Sequence, residues 1–296
     1  MVLENLFGDA GRARTAEGQG EFVEAANLYE KANNWEDAGR CWDAAQHPNR
    51  ARDAWERAAY EYWKAGNWEK AAHAWESARS WEKAARAWEK AGKMDRLLGV
   101  FVHLEDWLEA GRLARKLGRL EEGARHLEMA RAWVEAGEVY AATGDHLKAA
   151  DCFEQGNMWD LAGEEYAQAG EWEGAFVAFK KAGDVMNAAV ASERLERWMH
   201  AAALFNAAKV PGRAALNYMR AKQWQKAVRL CEEVEDLRGA GICYEKLGDF
   251  EKAADLLEKA GLWAHAAKNR IRLKDWKAAA TNLVKAEHWA RAAPCF

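Results

Sequence analysis

The 296-residue sequence predicts an all-α fold, a stack of about 22 short antiparallel helices rather than one closed globule. Three observations carry that prediction. Trp68, Trp81, Trp107, Trp133, Trp159, Trp172, Trp198, Trp224, Trp263, Trp276 and Trp289 all fall on a single thirteen-residue beat. Counted from these, each module reads W-x-x-A-A/G-x-x-W/Y/F-x-x-A-G-D/N, with apolar residues at positions 1, 4, 5, 8 and 11, the stripe of one helix face. Hydrophobic residues make up 50 % of the chain and aromatics 11 %, enough for a continuous core and too much for disorder.

Before the first module, Leu3, Leu6, Phe7 and Ala10 repeat the same helical stripe up to Gly18-Gln-Gly20, so residues 1–21 read as an N-terminal capping helix. Modules then start at Phe22, Trp35 and Pro48. The third carries seven additional residues, 61–67, about two helical turns, which lengthen its helix, place Trp63 on it and keep the downstream face in register. Residues 22–296 therefore read as one continuous array and a single domain. Glycine at position 12 (Gly92, Gly118, Gly144, Gly170, Gly183, Gly248, Gly261) supplies a left-handed helix end, and Asp or Asn at position 13 (Asn34, Asn67, Asp106, Asp145, Asp184, Asp249, Asp275) caps the next helix. A helix of about ten residues is ~15 Å long and unstable alone, so stability comes from neighbours. Connections of about three residues fold successive helices back on each other, giving a 26-residue hairpin as the unit. Alanine or glycine at positions 4 and 5 lets backbones approach, and the ring at position 1 or 8, burying roughly 150–250 Å², fills the space between rods.

The hairpin starting at Trp133 resembles the tetratricopeptide repeat. Trp133-Val-Glu-Ala136-Gly137-Glu-Val-Tyr140 is similar to the family's W-x2-L-G-x2-Y, and Ala149 to Phe153 and Gly156 to its A-x3-F-x2-A. Further copies begin at Trp159 and Leu237. The hairpin here is shorter than the family's repeat of about 34 residues, as though the second helix had lost two turns. The resemblance covers nearly the whole chain. It implies a right-handed α-solenoid or superhelix acting as a non-enzymatic protein–protein interaction scaffold, and it leaves the ligand open.

Chemistry finds little support in the residues. Eight histidines are scattered without metal-ligand spacing and read as surface residues, so no metal, cofactor or catalytic residue is expected. Carboxylates at positions 2, 3, 9 and 10 read as solvated faces carrying Glu/Lys pairs. A net charge of −4 lacks the basic excess of a nucleic-acid binder. Five cysteines without a C-x-x-C pair read as small buried fillers in a reducing compartment. With no apolar run of ~18 residues and no basic, apolar leader, the expected location is the cytoplasm, away from the membrane.

The expected partner is a protein or peptide. The resemblance makes the alternate helices starting at Phe22, Trp81, Trp107 and onward the lining of a concave groove, read by side chains at positions 2, 6 and 9. These include Arg112, Arg115, Glu138 and Glu164, then the more apolar Met186, Val190, Leu216, Met219 and Ile242. An exposed apolar strip marks a peptide or helix site, whereas a tightly wound superhelix buries it against itself; both readings stand. The Lys and Asn clamp with which chaperone-binding relatives hold carboxylates is not reproduced. The chain stops at position 8 of its last module, leaving Trp289, Ala292, Ala293 and Phe296 as an uncovered stripe. The expectations are a segment of a longer protein, such as the sensor or regulatory arm of a signalling or effector complex, or an end that docks on another subunit as a homo-oligomer or self-assembling element.

Overall fold

The computed structural model describes residues 2–288 and residue 292, with side chains described from residue 8; Trp289, Ala293 and Phe296, three of the expected end-docking residues, lie outside it. The described residues form 21 helices and no strand. They fall into two compact units, residues 1–139 and 140–296. The first holds α1 (Val2–Gly18), α2 (Phe22–Lys31), α3 (Trp35–Ala44), α4 (Pro48–Lys64), α5 (Trp68–Ser77), α6 (Trp81–Ala91), α7 (Met94–His103), α8 (Trp107–Lys116), α9 (Leu120–Met129) and the start of α10 (Trp133–Thr143). The second continues with α11 (His146–Gln155), α12 (Trp159–Gln168), α13 (Trp172–Ala182), α14 (Val185–Arg194), α15 (Trp198–Ala207), α16 (Pro211–Arg220), α17 (Trp224–Glu233), α18 (Leu237–Leu247), α19 (Phe250–Lys259), α20 (Trp263–Arg272) and α21 (Trp276–Lys285). Every helix from α2 on starts at module position 1, including α11 at His146 and α16 at Pro211. The beat is therefore one of helix starts, usually but not always marked by a ring. The α4 helix runs 17 residues where α3 and α5 have 10, and Trp63 in its last turn packs against Trp68 and Trp75 at 4.6 and 5.3 Å.

One turn joins nearly all the helices. Position 12 is left-handed, its N–H donates to the carbonyl of position 9, and the N–H of position 13 donates to the carbonyl of position 8, as in Gln46 to Asp43 and His47 to Trp42. These two bonds form a Schellman motif, which satisfies carbonyls the helix end leaves open. Twelve of the left-handed residues are not glycine, among them Asn33, Arg79, Lys209 and Lys274, with φ between 56 and 61°. For an L-residue that conformation costs about 1–2 kcal/mol, so the hydrogen bonds rather than residue type enforce the turn. Position 13 also begins the next helix. Asn34, Asn67, Asp106, Asp145, Asp184, Asp236, Asp249 and Asp275 each accept the backbone N–H three residues on.

Packing repeats as regularly. Each helix packs mainly on the one before and the one after it within its unit. The position-4 alanines are buried, and the rings at position 8 sink between helices, as with Trp42 and Trp88 at 1 % exposure. A buried indole N–H or phenol needs an acceptor, and the position-9 carboxylate of the preceding helix supplies it. Trp42 donates to Glu30, Trp55 to Asp43 and Trp88 to Glu76, each at 2.7 Å, and Tyr244 to Glu232 likewise. The solvated-face reading of position 9 is thus corrected: in an array each helix has neighbours on two sides, so residues flanking the stripe meet the next rod. Rings at position 1 are only half-buried. Several are covered by a cation near the end of the following helix, such as Lys181 over Trp159 at 3.8 Å and Lys285 over Trp263 at 4.2 Å. His47, His73, His103 and His200 are exposed, as expected of surface histidines, and lie against Trp42, Trp88, Trp81 and Phe176; His126 is half-buried and stacks on Trp107, with ring centroids 4.1 to 5.6 Å apart in the five pairs.

Candidate partner-binding groove

Position 4 is alanine or glycine in every module except one, where it is Leu97, followed by Leu98 at position 5. Both leucines are buried. Leu98 packs on Ala110 and Ala114 of α8, and Leu97 joins the apolar cluster that runs back through α6. Two isobutyl groups where neighbours have methyls hold the rods apart, and α7 packs less closely on α6 and α8 than other successive helices in its unit do. The space this opens is a groove of about 1100 Å³. Its floor is apolar: Ala85 of α6, Met94, Leu97 and Phe101 of α7, Leu113 of α8 and Leu117 just after it. Arg86 and Glu89 stand on one wall, and Arg112, Arg115 and Lys116 on the other, with Glu109 and Glu135 beside them.

The charges are arranged in pairs. Arg112 grips Glu135 with two parallel bonds of 2.7 and 3.0 Å and reaches Glu109 at 3.3 Å. The bond from Arg112 holds the Glu135 carboxyl below the usual carboxylate range, and the same bond pushes the guanidinium further up. Arg115 pairs with Glu138 at 3.2 Å. Among the described residues Arg86 and Lys116 make no ion pair, so each wall carries one cation without an acidic partner. Arg112 and Arg115, both expected from the sequence, thus line the groove, and Glu138 flanks it by pairing with Arg115. The sequence reading missed the floor, because Leu97 and Phe101 belong to the core stripe and Leu113, at position 7, lies outside the positions taken to read the groove. The signal that marks it is the loss of the small residue at position 4.

The other expected residues lie in the second unit. Glu164 is exposed on α12. In the apolar strip Met186 and Leu216 are 39 % and 53 % exposed. Val190 and Met219 are half-buried against the clusters around Phe205 and Val228, and Ile242 is half-buried as well. Polar bonds that the sequence did not suggest flank this strip. Glu193 accepts from Arg213, Arg220 and the fully buried Asn217, and Glu245 from Lys268, Arg272 and the fully buried Asn269. Ala292, of the expected docking end, is buried with Ala267 and Leu283.

Among the described residues no cluster of three His, Cys, Asp or Glu side chains is placed to hold a metal ion, and no helix is long and apolar enough to cross a membrane. Among the described residues, short helices joined by one turn type, with small position-4 residues buried along their contacts, define an all-α helical-repeat array. Residues 130–162 match the tetratricopeptide repeat family directly. A comparison with curated proteins gives no match. Solved structures that align with the chain include Naa15/Naa10 bound to HypK-THB, at 13 % identity over 93 % of this chain and 62 % of that one, with a TM-score of 0.26. Yeast Tom70 aligns at 12 % identity over 99 % and 95 %, TM-score 0.30. A tetratricopeptide repeat protein from Parabacteroides merdae aligns at 15 % over 80 % and 93 %, TM-score 0.24. The chain thus spans 62 % of the length of the Naa15 complex chain it matches.

Proposed function

We propose that this protein is an interaction scaffold that seats an amphipathic helical segment of a partner protein in the groove between α6 and α8. The observation that carries this reading is the groove itself, about 1100 Å³ with a continuous apolar floor, opened by the one module that departs from the small-residue rule. Two turns of helix, ~11 Å long and ~10–12 Å across, occupy on the order of 1,000 Å³, so the groove matches a short helical segment in size. The partner's apolar stripe meets Met94, Leu97, Phe101 and Leu113, and acidic residues beside that stripe meet Arg86 and Lys116. Because the walls are already fixed by packing and by the Arg112–Glu135 fork, little ordering opposes binding. The strip around Met186, Val190, Leu216, Met219 and Ile242 is a second candidate contact on α14, α16 and α18, with exposed Glu164 nearer the start of that unit.

The test is affinity purification with mass spectrometry, using wild type, Leu113→Glu with Leu117→Glu, and Leu216→Glu with Met219→Glu, each checked for helicity by circular dichroism. The groove reading expects the partners of wild type to vanish with the first pair and persist with the second. Partners retained by the first pair overturn it, and loss with the second pair alone moves the site to α16. Light scattering on the same proteins identifies the case in which the occupant is another copy of the chain.

A further inference from the structure

The groove between α6 and α8 fits about two turns of helix with an apolar stripe and an acid on each flank, and this chain itself carries such a segment. Leu3, Leu6, Phe7 and Ala10 form one stripe, and residues 3–10 span ~12 Å as a helix. Glu4 and Asp9 lie on opposite sides of that stripe, each about 110° around the helix from its centre. The groove carries the matching charges, with Arg86 exposed on one wall and Lys116 exposed on the other. The apolar stripe at the other end of the sequence does not match: between residues 289 and 296 it carries Arg291 and no acid, and its Ala292 is already buried. Within α1 itself, Ala13 and Ala16 are buried in the core of the first unit. In helical projection they lie about 100° from the centre of the 3–10 stripe, so burying one set does not use the other. Gly8 and Gly11 add a further clue. No described atom lies within 4 Å of a Cβ built on either, whereas a Cβ on Gly39 or Gly163 would meet a ring. Close packing therefore does not account for them, and each lowers the intrinsic helix preference of this end of α1. A second surface to lie on offsets that loss.

We infer, on the basis of the groove proposed above, that its occupant is the start of α1 from a second copy of this chain, residues 3–10. Leu3, Leu6 and Phe7 bury against Met94, Phe101 and Leu113, while Glu4 and Asp9 meet Arg86 and Lys116. The apolar stripe supplies most of the affinity. The charges stand at the exposed rim, so they fix orientation and choice of partner, and association weakens as salt rises. The contact joins two different surfaces, one on α1 and one between α6 and α8. Each can therefore be altered without touching the other, and a chain altered in one remains able to pair with a chain altered in the other.

The test is sedimentation velocity of the full chain over a range of concentrations, with circular dichroism on every variant. Wild type is expected to self-associate as concentration rises. Glu4→Lys with Asp9→Lys, and separately Arg86→Glu with Lys116→Glu, each raise the dissociation constant at least roughly tenfold, since two attractions become two repulsions. All four substitutions in one chain, or an equimolar mixture of the two variants, restore association to within roughly threefold of wild type, which a folding defect could not do. Leu6→Glu alone also abolishes association. A wild type that stays monomeric, association indifferent to either charge reversal, or no recovery when the reversals are combined overturns the inference. Failure of the groove reading looks different. If wild type is monomeric while Leu113→Glu with Leu117→Glu still strips other partners, the groove stands and only its occupant is wrong. If that pair leaves both self-association and other partners intact, the groove and its occupant fall together.

Discussion

Replacing Gly163 with alanine isolates the contact on which the hairpin depends. Gly163 is position 5 of α12, and a Cβ built there lies 2.6 Å from both Cδ1 and Cε1 of Phe179, the buried position-8 ring of α13. Carbon atoms in contact prefer about 3.5–4.0 Å, so the methyl overlaps the ring by about 1 Å. Two effects oppose each other. Alanine is favoured over glycine inside a helix by about 1 kcal/mol, while over-packing of this kind costs about 1–3 kcal/mol. The net expectation is a destabilisation of up to about 2 kcal/mol. In a Phe179→Ala background, which by itself costs about 3–5 kcal/mol, the clash is gone and the helix preference remains, so Gly163→Ala then stabilises by about 1 kcal/mol. The double-mutant cycle thus yields a coupling of about 1–3 kcal/mol. Urea unfolding followed by circular dichroism at 222 nm and by tryptophan emission measures it, with both probes needed because repeat arrays need not unfold in one step. An equal effect of Gly163→Ala in both backgrounds would refute the reasoning, since it would mean that the ring does not read the missing side chain.

The other predictions address the turn, the electrostatics and the groove. Lys209→Gly removes the penalty of a left-handed L-residue at φ 58° and adds backbone entropy to the unfolded chain, leaving a gain of about 0.5–1 kcal/mol in urea midpoint analysis, whereas Gly118→Ala at φ 78° loses a similar amount. Hydrogen bonds from Lys83 and from buried Ser80 hold the Glu56 carboxyl below its usual range. A carboxylate depressed in the folded state contributes stability that is complete above its unfolded value, ~4.3, and is lost as pH falls through the folded value. Wild type therefore loses stability across that acid window, and Glu56→Gln both destabilises at pH 7 and flattens the acid limb of a plot of melting temperature against pH. Leu97→Ala with Leu98→Ala installs the small pair that most other modules carry at positions 4 and 5. If α7 then closes on its neighbours, the loss stays well below the additive ~4–10 kcal/mol expected of two unrelaxed leucine cavities, and partner binding disappears while helicity persists.

How far the sequence could be read depends on whether a residue's role is local. Helix starts, three-residue connections and the caps at Asn34 or Asp184 follow from the residue itself and its neighbours in the chain, and these were legible. The left-handed turn was legible at Gly92 and invisible at Lys209 or Arg79, because nothing in a lysine or arginine side chain announces a conformation enforced by two backbone bonds. The carboxylates at Glu30, Asp43 and Glu76 looked solvated on a helix considered alone. Their indole partners lie in the following helix, and only the packed hairpin brings them together. The candidate site divides in the same way. Arg112 and Arg115 flank the stripe at positions 6 and 9 and were legible as groove-facing residues, but Leu97 and Phe101 are part of the stripe and look like every other core position until the rods separate.

That separation explains why the proposed groove lies where the repeat is broken. When each contact sets a small residue against a ring, the rods close to the same distance everywhere and the surface between them is shallow. A groove deep enough to desolvate a partner's apolar side chains requires one module to violate the rule, and the violation must be held open by residues that are themselves well packed, or the rods would simply collapse. Leu97 and Leu98 meet both conditions. They are 6 % and 2 % exposed, so they act as spacers from within the core, while Met94, Phe101 and Leu113 beside them are left half-covered. A spacer of this kind stabilises its own module while the half-covered side chains beside it supply the apolar floor, so stability and the proposed binding need not be in conflict at this position.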